Sequence, residues 1–202
     1  MVFRMALAAT VLALVVSPIA PVAVAAPSRN PADLPAGTYA LDKKHASVTA
    51  KVMHLGVSLY TMRFNAFEGS FTYDPAHPQT AQVRATVDAT SLDAGASYSR
   101  KFADQFLEAS KFPTVTFVSS QIVPGTDGRS GTMSGDLTLR GVTRPVTFDV
   151  AFDGVGKSLM FGTVTGFSAS ARIKRSDFGS SELRAFVGDD VTITIEAEFD
   201  KK

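Results

Sequence analysis

Apolar and polar residues alternate along most of this chain. Over residues 47–53, Val48, Ala50 and Val52 fall on one side and Ser47, Thr49 and Lys51 on the other, the period of a half-buried strand. Val83, Ala85, Val87 and Ala89 alternate in the same way with Gln82, Arg84, Thr86 and Asp88, and Val191, Ile193, Ile195, Ala197 and Phe199 share one face near the C-terminus. Residues 38–41, 114–123, 129–140 and 164–173 read as further strands. The centre of the chain, residues 135–150, reads as strand, turn, strand: Leu137 and Leu139, then Gly141, then Val146, Phe148 and Val150. Gly141 can take the positive φ of a tight turn, and Pro145, with no N–H to donate, suits the first residue of the second strand. Periodicity alone makes this an ordinary hairpin of any all-β protein.

Two stretches depart from the alternation. Residues 97–110 carry a helical period, with Phe102 and Phe106 four apart beside Ala103, Leu107 and Ala109. Ser97 or Ser99 can cap the start and Pro113 the end. Residues 59–71 are dense in large side chains (Tyr60, Met62, Phe64, Phe67, Phe71), and Gly69 among them suggests a bulge or bend. Residues 73–78 and 124–128 are turn clusters, and 154–162 a glycine-containing loop.

About eight or nine strands, one helix and hairpin-length connections give an all-β, antiparallel sheet that must hide its edges. Closure into an up-and-down barrel of about eight strands with one short helix does so; a sandwich is the alternative. Several strands turn small residues to the apolar side: Ala85, Ala89, Ala169, Ala171 and Ala197. An eight-stranded barrel is either just filled by its side chains or holds one small ligand. Small inward residues suit an elongated apolar pocket, but large rings could fill the space above them, and the pattern leaves both open.

Composition narrows the class. Lys plus Arg is 20 against 19 Asp plus Glu, which gives no nucleic-acid footprint. Arg4, the uncharged apolar run of residues 5–19 and the Ala23-Val24-Ala25 site form a secretory leader, residues 1–25, cleaved rather than kept as an anchor. Residues 26–36, rich in Pro and small polar residues, read as a flexible linker ahead of a domain over 37–202. The chain has no cysteine, so lipoprotein anchoring, disulfides and thiol catalysis are excluded. The histidines His45, His54 and His77 lack zinc-site spacing, the Asp177-Phe178-Gly179 tripeptide stands without the other kinase elements, and no catalytic constellation emerges.

Particular phrases carry a resemblance. They are Tyr39-Ala40-Leu41-Asp42 with His45-Ala46-Ser47-Val48, Lys51 followed by His54-Leu55-Gly56-Val57, and Arg63-Phe64 with Phe67, Gly69 and Phe71. Lys111-Phe112-Pro113-Thr114, the run GDLTLRGVTRPV, Arg175-Ser176-Asp177-Phe178-Gly179 and Val187-Gly188-Asp189-Asp190 follow in order. Together they resemble the YceI-like family, the bacterial polyisoprenoid-binding proteins, over about residues 38–199. The resemblance implies a periplasmic or secreted, lipocalin-like barrel whose hydrophobic tunnel holds a polyisoprenoid or a related lipid such as a quinone tail. Catalysis is not implied by it. The residues themselves give no reason to expect a cofactor, a metal or a stable membrane anchor, and pairing into a homodimer is left open. Arg100-Lys101-Phe102 and Gln105-Phe106-Leu107 depart from the family's helix, which puts head-group contacts from the helix in doubt. The expected tunnel lining is Met53, Phe64, Phe67, Phe71, Phe102, Phe106, Phe112 and Phe117. Two other readings are an enzyme on a small apolar substrate, with His54 the one titratable candidate, and an envelope stress-response or partner-binding module.

Overall fold

The structure is a computed structural model that describes residues 26–158 and 162–202; the expected leader lies outside the described residues. Ten strands and one α-helix follow in order. They are β1 (Gly37–His54), β2 (Ser58–Phe64), β3 (Phe67–Tyr73), β4 (Gln82–Asp88), β5 (Leu92–Asp93), α1 (Ser99–Leu107), β6 (Thr114–Pro124), β7 (Ser130–Leu139), β8 (Val142–Lys157), β9 (Thr163–Lys174) and β10 (Val187–Lys201). All pairings are antiparallel, and β10 returns to β1 over eleven paired positions from Tyr39 with Lys201 to His54 with Val187. The ring β1–β3–β4–β6–β7–β8–β9–β10 is therefore a closed eight-stranded barrel, with β2 and β5 as extra strands. A closed barrel has no edge to template aggregation, which answers the edge problem posed by the alternation.

β1 changes partner half-way. Residues 37–40 pair with β3 and residues 48–54 with β2. The end of the barrel near Gly37 is here called the base, and the end near His54 the mouth. At the mouth half, α1 takes over the wall between β2 and β6: Ala103 and Ala109 are buried with Ala89 and Leu92, against Met62, Phe64 and Val115.

The central hairpin forms as the sequence indicates, with a two-residue loop. Leu139 pairs with Val142, and Arg140 and Gly141 both have positive φ (54° and 71°), the twist-matched primed turn. Pro145 lies within β8 rather than at its start, before the pairing with β9 begins at Asp149, so its missing donor removes no bond from that ladder. Gly135 leaves room for a ring: a Cβ there would stand 2.6 Å from Phe117.

Several boundaries differ from expectation. Residues 38–41 and 47–53 are one strand, joined through an irregularity between Leu41 and Ala46. The aromatic-rich stretch is two strands with a break at Asn65-Ala66, and Gly69 sits in regular register opposite Ala85, without a bulge. α1 is shorter than the 97–110 pattern. The Ser99 hydroxyl accepts from the Ala94 N–H rather than capping the helix, and Glu108 in left-handed conformation (φ 49°) ends it before Pro113 is reached. Residues 154–157 belong to β8 rather than to a loop.

The segment expected to be a flexible linker is docked on the base. Ser28 and Val155 exchange both backbone hydrogen bonds at 2.8 Å, and Leu34 is 1% exposed. Tyr39 donates its hydroxyl to the Pro35 carbonyl at 2.6 Å, and Tyr73 donates to that of Pro31 at 3.2 Å. Leu34 seals a cluster of Tyr39, Phe71, Phe152 and Val155, which explains the order: a leucine side chain has a greasy floor to cover. Fully burying it yields about 1.5–3 kcal/mol.

Candidate functional site

The barrel is hollow. A cavity of about 910 Å³ runs along its interior from residues of the base such as Tyr73 to residues of the mouth such as Leu55 and Phe186. It lies at the upper end of the usual range of about 300–1,000 Å³ for ligand pockets. The strand alternation builds its wall: Val48, Ala50 and Val52 from β1, Val83, Ala85 and Val87 from β4, Ile193, Ile195 and Ala197 from β10. The small residues hold it open at mid-height, where Ala85, Ala169, Ala197 and Gly69 face inward. A Cβ at Gly69 would already stand 3.7 Å from the Phe199 ring.

Large rings gather at the two ends. At the base Tyr39 stacks on Phe71 with centroids 4.7 Å apart, Phe71 meets the edges of Phe167 and Phe199 at 5.5 and 5.0 Å, and Phe152 meets Phe167 at 5.4 Å. These offset and edge contacts add to the apolar burial and floor the cavity. Toward the mouth Tyr98 stacks on Phe102, which meets Tyr60 and Phe106 at 6.2 and 5.6 Å. The Tyr60 hydroxyl donates to the Ala94 carbonyl, fixing that ring beneath the start of α1.

Of the eight residues expected to line the interior, six do: Phe64, Phe67, Phe71, Phe102, Phe106 and Phe117. Met53 does not. Val52 points inward, so its neighbour points out; Met53 is 38% exposed and rests near Gly188 on the outer face. Phe112 does not either. Its ring packs on the hairpin tip, 2.6 Å from where a Gly141 Cβ would be. Tyr60, Met62, Phe148, Phe152, Phe167, Ile193 and Phe199 belong to the wall and were not singled out. Their signal was present, because each shares the inward parity of a strand already recognised. Of the expected inward alanines, Ala85, Ala169 and Ala197 line the cavity, Ala171 joins the core around Phe117 and Phe148, and Ala89 lies under α1.

Two arginines anchor the mouth. Arg140, at the hairpin tip, is 8% exposed; it donates to the Phe106 carbonyl at 2.8 Å and pairs with Glu108. A cation at the last carbonyls of a helix is favourably placed, so this contact fastens α1 to the barrel. Arg175 is 5% exposed and lines the cavity. It donates to the carbonyls of Gly188 at 2.8 Å, Val187 at 3.0 Å and Ser180 at 3.2 Å, with Phe106 5.8 Å away. Burial pulls its pKa down, partly offset by Asp189 and Glu182. It ties the 3-10 turn Arg175–Phe178 to the start of β10, so the Asp-Phe-Gly tripeptide is part of a strand-end turn. His54 is exposed at the mouth, its ring 6.5 Å from that of Tyr60.

The arrangement can take up an apolar chain by burial alone. The model of the YceI-like domain matches residues 39–199, which is nearly all of the barrel. The chain belongs to the YceI-like family. Among curated relatives, this YceI-like chain is 37% identical over 165 residues to a UPF0312 protein of Vibrio cholerae, covering 80% of this chain and 87% of that one. Among solved structures, it is similar to BcnA of Burkholderia cenocepacia (TM-score 0.71, 26% identity, 78% of this chain and 98% of that one). It also shares the fold of a polyisoprenoid binding domain from Saccharophagus degradans implicated in plant cell wall breakdown (TM-score 0.61, 16% identity, 81% of this chain and 98% of that one). The YceI-like barrel read from the sequence is thus the fold found.

Proposed function

We propose that this protein binds a long-chain polyisoprenoid or a related lipid, such as a quinone tail, in its barrel, and carries or sequesters it in the periplasm or outside the cell after loss of the leader. The observation that carries this reading is the apolar cavity of about 910 Å³ along the barrel axis. Each methylene moved from water into it contributes about 0.8 kcal/mol, so a few isoprene units outweigh the entropic penalty of association. Membership of the YceI-like family and the solved polyisoprenoid binding domain of the same fold support the choice of ligand class. The proposed contacts are the six inward rings, Phe64, Phe67, Phe71, Phe102, Phe106 and Phe117, with no catalytic residue, cofactor or metal among the binding groups.

Mass spectrometry of organic extracts of the purified protein tests the reading directly. Prenyl or long acyl species should recur at near one per chain. Recovery of none, combined with no uptake of added prenol, would end it. An Ala169→Phe variant should fold yet take up at least tenfold less prenol, since its ring occupies the mid-height space.

A further inference from the structure

Nine large hydrophobic residues are notably exposed among the described residues, and seven of them stand at the mouth. They are Val57 (84%), Leu59 (63%), Tyr98 (56%), Leu55 (54%), Phe186 (54%), Leu183 (45%) and Met53 (38%). They come from three separate places in the chain: the β1–β2 turn, the loop before β10, and the start of α1. The first two are joined, because the Leu55 N–H donates to the Phe186 carbonyl at 2.7 Å. Isolated exposed leucines need no explanation, but a collected apolar rim does.

The rim is also held there against a local preference. Leu55 and Leu183 have φ of 55° and 53°, a left-handed conformation that bulky side chains avoid. Such outliers persist where the surroundings impose them, and they gather at functional positions. Leu55, Tyr98, Leu183 and Phe186 line the cavity as well as facing solvent, so the exposed rim and the tunnel wall are one continuous apolar surface. Exposed cations sit among these residues, with Arg184 between Leu183 and Phe186, and Arg100 and Lys101 following Tyr98 after Ser99.

We propose that the rim is a reversible docking surface for an anionic lipid bilayer, on which the barrel stands mouth down while a lipid chain slides between membrane and tunnel. This rests on the tunnel reading above and adds where the cargo is exchanged. The bilayer is favoured over a second copy of the chain by that continuity. Apolar tips entering the acyl boundary, with Arg184, Arg100 and Lys101 at the level of the phosphates, give a lipid tail a path that never crosses water. A second copy pressed on the rim would instead close the tunnel.

The test uses the mature protein and a Val57→Ser/Leu59→Thr variant, whose altered side chains are exposed and lie outside the tunnel wall. Wild type should co-sediment with vesicles of phosphatidylethanolamine and phosphatidylglycerol, and the variant should bind them at least tenfold more weakly. Uptake of farnesol from solution should be the same in both. Absence of wild-type vesicle binding with farnesol uptake intact would overturn the docking surface and leave the tunnel standing; absence of farnesol uptake in wild type would overturn the tunnel reading beneath it. If sedimentation velocity shows a wild-type dimer that the variant dissolves, without vesicle binding, the rim belongs to a second copy and the proposal fails.

Discussion

The two ends of this barrel are built on opposite terms. At the base, Tyr39 is fully buried, stacked on Phe71 and hydrogen-bonded to Pro35, and Leu34 is sealed over the same cluster. At the mouth, leucines and rings face water, two of the leucines in a disfavoured backbone conformation, and the helix is held by small buried alanines and a buried arginine from the hairpin tip. The same residue types thus stabilise one end and are held ready at the other. The lesson is that a hollow barrel of this shape needs a solid floor to keep it from collapsing, and can then leave its opening under-packed.

This contrast can be broken from either side. The largest effect is expected at the floor: Tyr39→Ala should lower stability by about 3–5 kcal/mol, the usual loss for a large buried ring, read as the shift in urea midpoint. A loss below 1 kcal/mol would mean that the base is not the stabilising end. At the mouth, Arg140→Met removes the donor to Phe106 and the partner of Glu108. Because Glu108 is partly exposed and its pairing screened, a loss of about 2 kcal/mol is expected, together with faster hydrogen exchange confined to α1.

A smaller change of opposite sign sharpens the picture. Asparagine tolerates the left-handed conformation, so Leu183→Asn should stabilise by about 1 kcal/mol, a rise of about 2–4 °C in Tm for a chain of this size. A fall in Tm instead would show that Leu183 contributes packing that outweighs its backbone strain.

The smallest effect concerns pH. In the irregular part of β1 the His45 ring nitrogen lies 2.7 Å from Asp42, with Glu198 nearby. The Asp42 contact raises the His45 pKa above its ordinary 6.5, and the His45 contact lowers that of Asp42 below 3.8. A raised histidine contributes stability below its unfolded value and loses it as pH rises through the folded one. A lowered aspartate contributes above its unfolded value and loses it as pH falls through the folded one. The pair therefore helps most between about pH 4 and 6.5, where the Tm gap between wild type and His45→Gln should be widest; the Lys44 charge opposes the rise at His45, and exposure keeps the effect small. A gap that widens above neutral pH would contradict the assignment.

Much of this was legible in the sequence. Strand alternation gave the wall residues of β4, β8 and β10, and the inward alanines hinted at the hollow without deciding it, because whether rings fill a space depends on where they stack. Met53 was misread although the parity set by Val48, Ala50 and Val52 already turned it outward. Phe112 could not be placed, since its partner Gly141 lies 29 residues on and only the folded hairpin brings them together. The N-terminal segment read as a tether because its composition is that of one, yet Leu34, meeting a floor assembled from β1, β3 and β8, seats it together with the Ser28–Val155 pairing and the Tyr39 and Tyr73 hydroxyls. The rim was hidden for the opposite reason: by hydropathy Leu55 and Val57 look like core.

The change of partner along β1 has a mechanical consequence. Near Gly37, β1 is laddered on both sides, to β10 and to β3, and the girth of such a ring follows from its strand number. Near His54 one seam, between β2 and β6, is closed by the side chains of α1 rather than by a ladder. Apart from the Arg140 contact to the Phe106 carbonyl, that seam rests on side-chain packing, so it is the part of the wall least constrained by backbone geometry.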